Sequence, residues 1–172
     1  MRIERHLIVP NKLSYVRGER PDVECILCAI RDRDTRVTRL EVLRTELMIV
    51  SLNLFPYNPG HLLIFPLKHL TDIRQFSQEE VLQLHSLQKR AMQVLESLYS
   101  PTGFNIGFNV GRTSGASIEH IHCHLIPRYR NEIGLVEMLG EGSRVLVEEP
   151  LVTLEKLRKA FAQTPAPDPK KK

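Results

Sequence analysis

His120-Ile121-His122-Cys123-His124-Leu125-Ile126 places three of the chain's seven histidines within five residues, each separated from the next by an apolar side chain. In extended backbone, alternate side chains share a face. The run therefore predicts a strand with His120, His122 and His124 on one side and Ile121, Cys123 and Leu125 entering a core. A row of imidazoles is a chemical surface, because neutral imidazole serves as nucleophile, general acid or metal ligand near neutral pH. Just upstream, Gly111-Arg-Thr-Ser-Gly-Ala-Ser117 offers flexible backbone N–H donors of the kind that approach phosphates closely.

Working outward, Gly103 to Asn109 reads as the preceding strand, and Ser77-Gln-Glu-Glu80 as a capping box. Val81, Leu84, Leu87, Ala91, Val94 or Leu95 and Leu98 follow the box at helical spacing. His61 to Phe65 is an apolar strand ended by Pro66, and Asn53-Leu-Phe-Pro-Tyr-Asn-Pro-Gly60 is a break. Before it, Val37 to Val42 and Leu47 to Leu52 read as strands, and a short helix starting near Pro21-Asp22 carries Cys25 and Cys28 on successive turns. Leu151 to Phe161 fits a last amphipathic helix. The order predicts an α+β domain, an antiparallel sheet with helices on one side. It spans residues 22–163, between an N-terminal arm (1–21) and a basic, Pro-rich tail (164–172) read as disordered.

Composition bounds the partners. The chain has 172 residues, 42% of them hydrophobic, enough for one domain with a core. A net charge of +4 includes the terminal Lys170, Lys171 and Lys172, which favours an anionic small molecule over specific nucleic-acid binding. No apolar run reaches the roughly 20 residues of a transmembrane helix, and the first residues lack the apolar core of a signal peptide. A cytoplasmic protein without membrane attachment is expected. Three cysteines suit reduced thiols or zinc thiolates better than a disulfide framework. Cys25-Ile-Leu-Cys28 is half of a zinc site or a pair of small core residues.

These motifs resemble the histidine triad family of nucleotide hydrolases and transferases, whose signature of three histidines alternating with apolar residues is filled here. The likeness extends to Pro59-Gly-His-Leu-Leu-Ile-Phe-Pro-Leu-Lys-His69 and to Asn105-Ile-Gly-Phe-Asn109 with Gly111, Gly115 and Ser117. Pro10 with Tyr15, Phe55 to Gly60, Ile118-Glu-His120 and Gly142-Ser-Arg-Val-Leu146 are similar to the branch containing bacterial diadenosine tetraphosphate phosphorylases and hydrolases. Tyr129 to Leu139 departs from it, lacking the tryptophan and Gly-Asp-x-Asn-Phe segment usual there.

The resemblance implies a five-stranded antiparallel sheet with a long and a short helix, paired in a homodimer. It implies that His122 attacks the α-phosphorus, with its Nδ1 donating to the backbone carbonyl of His124, and that the His124 ring meets the phosphate. It places Asn53 and Leu54 at the nucleoside, Asn109, Gly115, Ala116 and Ser117 at the phosphates, and His61 behind the pocket. It also implies a Cys₂His₂ structural zinc on Cys25, Cys28, His69 and His120, with Mg2+ accompanying the substrate's phosphates. Spacing alone leaves two other readings open: a catalytic zinc held by His120, His122 and His124, or a nucleotide-binding module without turnover.

Overall fold

The computed structural model describes residues 21–130 and 149–165. Helix α1 (Ile26–Arg31) is followed by strands β1 (Glu41–Arg44), β2 (Met48–Leu52) and β3 (Leu62–Pro66), the long helix α2 (Gln78–Tyr99), strands β4 (Gly103–Phe108) and β5 (Cys123–Arg128), and helix α3 (Pro150–Gln163). The strands form one antiparallel sheet in the order β1-β2-β3-β5-β4. The expected α+β class and five-stranded sheet are present. The arm (save Pro21), the tail beyond Pro165 and most of the departing segment after Tyr129 lie outside the described residues.

Every residue of β2 and β3 is buried, so both faces of the sheet are covered. Met48, Val50, Leu52, Leu62, Ile64, Cys123 and Leu125 face Leu84, Leu87, Ala91, Val94 and Leu95 of α2 and Leu154, Leu157 and Phe161 of α3. The alternate residues Ile49, Leu63 and Phe65 pack against Leu27, Ala29 and Ile30 of α1 and against Val37. Helices therefore cover both sides, not one as expected. The short α1 escapes an amphipathic reading because six residues are too few to show a period.

Ser77 caps α2 and completes the capping box with Glu80, as its spacing predicts. Gly60 ends the turn before β3 at φ +82°, and a Cβ there would lie 2.6 Å from Leu95 Cδ2. Three boundaries differ from expectation. Val37 to Leu40 stay outside the ladder, which begins at Glu41, because Val37 leaves the sheet to join the α1 cluster. Helix α1 starts at Ile26 with Cys25 as its N-cap, the sulfur accepting from the Cys28 N–H. Strand β5 starts only at Cys123, so His120 and His122 precede it. Ile121 donates its N–H to Leu70 O instead, drawing this stretch toward the loop after β3. Ile121, Cys123 and Leu125 are buried as expected, but so are His120 and His122, and of the three histidines only His124 is half-buried.

Candidate active site and metal cluster

Strand pairing sets His124 opposite Leu63 of β3 and Gly107 of β4, on the α1 side of the sheet. His122 and His124 lie together there, with ring centroids 4.8 Å apart. Both line a cavity of about 410 Å3. Its apolar wall includes Ile26, Leu27, Ile30, Val37 and Leu40, and Asn53, Leu54, Asn109, Gly115 and Ser117 also border it. Ala116 borders a neighbouring cavity instead. Gly111 and Gly115 bracket the turn Arg112–Ser114 at φ +82° and +86°, a conformation that favours glycine.

The protonation of each ring follows from its fixed partners. His122 Nδ1 lies 2.7 Å from His120 O; a carbonyl only accepts, so Nδ1 carries the proton and Nε2 holds a lone pair. The holding carbonyl belongs to His120, not to His124 as expected. The reason is the late start of β5: the backbone before Cys123 bends, turning the His120 carbonyl under the His122 ring.

His124 has the opposite arrangement. The backbone N–H of Tyr57 donates to His61 Nδ1 at 3.0 Å, which leaves the proton of a neutral His61 on Nε2. That atom lies 3.0 Å from His124 Nδ1, making Nδ1 an acceptor and placing the His124 proton on Nε2. His124 Nε2 is buried and has no protein partner among the described residues. A buried donor without a partner is costly, and a ligand oxygen in the cavity would satisfy it. Burial lowers the pKa of His122, and burial together with the neighbouring His122 lowers that of His124 to about 4. Both rings are neutral at pH 7, as this pattern requires.

His61 is completely buried and stands behind His124, outside the cavity wall. Asn53 Oδ1 accepts from the Phe55 N–H, which turns its Nδ2 toward the His61 ring, 3.3 Å from Nδ1. The Tyr57 N–H is a main-chain group, and residue type gives no sign of it. The apolar cavity wall was equally hidden, since its residues read as ordinary core.

His120 points away from the other two rings. Its Nε2 lies 3.0 Å from Pro66 O, so Nε2 is the donor and the Nδ1 lone pair faces the Sγ atoms of Cys25 and Cys28, each at 3.5 Å. His69 Nδ1 lies 3.2 Å from Cys28 Sγ. One donor atom from each of Cys25, Cys28, His69 and His120 falls within 4.8 Å of the others. Two sulfurs and two imidazole nitrogens so placed fit a tetrahedral zinc. Burial, with the adjacent Cys25, pushes the Cys28 thiol up to about 11; a bound dication opposes that by favouring thiolates. The triad histidines do not converge on one metal, because the His120 ring belongs to the sulfur cluster.

The HIT domain model matches residues 35–131. The chain belongs to the HIT domain family. An uncharacterized HIT-like protein of Methanocaldococcus jannaschii is 32% identical over 127 residues, which are 74% of this chain and 95% of the relative. A Mycobacterium tuberculosis protein named AP-4-A phosphorylase is 33% identical over 127 residues, 73% of this chain. The match spans 65% of that relative's length. Among solved structures, a Zn-bound histidine triad family protein from Mycobacterium smegmatis superposes with a TM-score of 0.68 at 23% identity, covering 81% of this chain and 94% of the other. That likeness bears on the HIT fold.

Proposed function

We propose that this HIT protein is a nucleotidyl hydrolase or phosphorylase that cleaves a dinucleoside polyphosphate such as diadenosine tetraphosphate, or a related adenylyl compound, at the α-phosphorus. The observation that carries the reading is the opposed protonation of two adjacent rings: a lone pair on His122 Nε2 and a proton on His124 Nε2. A nucleophile beside a donor is what splitting a phosphoanhydride requires.

His122 Nε2 attacks phosphorus and forms an N–P bond while the P–O bond to the departing phosphate breaks. The electron pair leaves with that oxygen, which departs as a phosphate anion while the His124 Nε2–H donates a hydrogen bond to it. Water or phosphate then attacks the nucleotidyl group, the proton of an attacking water passes to solvent, and the N–P pair returns to His122. The His122 Nδ1 bond to His120 O stabilises the positive charge that develops on the ring. Asn53 and Leu54 serve the nucleoside, and Asn109, Gly115, Ala116 and Ser117 serve the phosphates. His61 orients His124.

Support for the substrate class comes from the name of the mycobacterial relative. Cys25, Cys28, His69 and His120 would hold a structural zinc, which would anchor α1 to the stretch before β5. Mg2+ would accompany the substrate's phosphates. The reading includes a cytoplasmic homodimer; no helix among the described residues is long and apolar enough to cross a membrane.

The test is incubation with diadenosine tetraphosphate, with and without phosphate, followed by product analysis and mass spectrometry of the quenched protein. ADP plus ATP formed only with phosphate shows phosphorolysis. AMP plus ATP formed in water shows hydrolysis. An adenylyl adduct mapped to His122 is expected in either case, and turnover with an adduct-free His122 at every quench time rejects the mechanism.

A further inference from the structure

A second cavity of about 510 Å3 adjoins the first. Ile26, Ser117 and Ile118 border both, so the two are lobes meeting at the end of the glycine-rich turn. The catalytic lobe contains His122 and His124; the second contains neither. Its wall joins the apolar Val23, Ile26 and Ile118, which pack on the α1 cluster, to the carboxylates of Glu24 and Glu119, and on one side it is bordered by Cys25 and His69 of the sulfur cluster.

We infer that the second lobe binds the departing nucleoside of a dinucleoside polyphosphate, with the phosphate run crossing between the lobes at Ser117. This rests on the nucleotidyl chemistry proposed at His122 and adds where the rest of the substrate lies. Such a substrate carries two nucleosides, and the catalytic lobe encloses one beside the reacting phosphorus. Ionised carboxylates accept hydrogen bonds and cannot donate them. Glu24 and Glu119 therefore match the amino edge of a base or the hydroxyls of a ribose, and they repel phosphate. That repulsion keeps the anionic run on the Gly115 to Ser117 backbone, while Val23, Ile26 and Ile118 offer an apolar surface to the flat face of a base.

The arrangement separates substrates by whether a second nucleoside is present. Adenosine 5′-tetraphosphate has the same four phosphates as diadenosine tetraphosphate but only one nucleoside. The wild-type chain is expected to favour the dinucleotide in kcat/KM by roughly tenfold or more, the scale of burying one base against a matching surface. Val23→Trp, which narrows the lobe, and the exposed pair Glu24→Ala with Glu119→Ala are each expected to bring that preference close to parity. Taking the ratio cancels any effect common to both substrates. A wild-type preference near parity, or one that both variants retain, overturns the inference.

If the wild type cleaves neither compound, the proposed function fails, and the lobe is then read by binding. Calorimetric affinities of the two compounds for wild type and for Val23→Trp are expected to show the same preference and the same loss. Equal affinities would overturn the inference independently of turnover.

Discussion

The imidazoles of His61 and His124 meet Nε2 to Nδ1 at 3.0 Å, and the direction of that hydrogen bond is set by the main chain of Tyr57. A backbone N–H has one role, so it removes the ambiguity that a pair of histidines otherwise carries. The fold thus fixes which nitrogen of His124 carries the proton through neutral groups alone.

His61→Phe deletes the donor while keeping a ring of similar size. The proton of His124 is then free to move to Nδ1, and kcat is expected to fall by roughly 100-fold while KM changes little. Steady-state kinetics test this, with a 15N NMR spectrum of His124 reporting the tautomer. An unchanged kcat would show that His61 serves packing alone.

His122→Ala removes the nucleophile itself. Turnover is expected to drop at least roughly ten-thousand-fold, and no adenylyl adduct should form, while AMP still binds in the adjoining cavity. A variant that kept appreciable turnover would place the nucleophile elsewhere.

The acid side of the pH profile follows from burial. His122 must be unprotonated to attack, and burial holds its pKa below the ordinary imidazole range, so the acid limb of the single-turnover rates should have its midpoint below pH 6.5. Stability carries the same sign. His124 takes its proton at about 4 when folded and near the ordinary 6.5 when unfolded, so the unfolded state binds more protons in that window. Its contribution is complete above pH 6.5 and is lost as pH falls toward about 4. Denaturant midpoints measured across the window test the sign, and a midpoint that rose on acidification would contradict it.

Zinc content is checked by atomic spectroscopy. One ion per chain is expected, lost in Cys28→Ser, with the melting temperature down by at least about 5 °C. Equal zinc content in wild type and Cys28→Ser would rule out the Cys₂His₂ set.

Gly60→Ala sets a methyl 2.6 Å from Leu95 Cδ2 and imposes a left-handed φ on alanine. A loss of about 1 to 3 kcal/mol in unfolding free energy is expected. An unchanged denaturant midpoint would mean that this turn relaxes freely.

The triad, the capping box and the apolar strands were legible because each is a local pattern with one geometric meaning. His69 and His120 could be grouped with the cysteines only through a family likeness, since 41 residues separate Cys28 from His69 in the chain. The carbonyl that holds His122 belongs to His120 and not, as the resemblance implies, to His124, and residue type does not reveal that the strand begins only at Cys123. The bend before Cys123 depends on a hydrogen bond from Ile121 to Leu70, a pairing between main-chain groups of distant segments. Helix α1 was placed on the wrong face for the same reason: its burial is decided by what β2 and β3 present on their second side.

Because α1 packs on the face of the sheet to which His124 projects, while His124 itself is carried by β5, the apolar cavity wall and the hydrogen bonds that place the imidazole protons belong to separate stretches of chain. Substitutions at Ile26, Ile30 or Val37 would reshape the cavity wall and leave the His120 carbonyl and the Tyr57 amide where they are. A protein built this way can drift from one nucleotide to another by small steps, each compatible with continued chemistry.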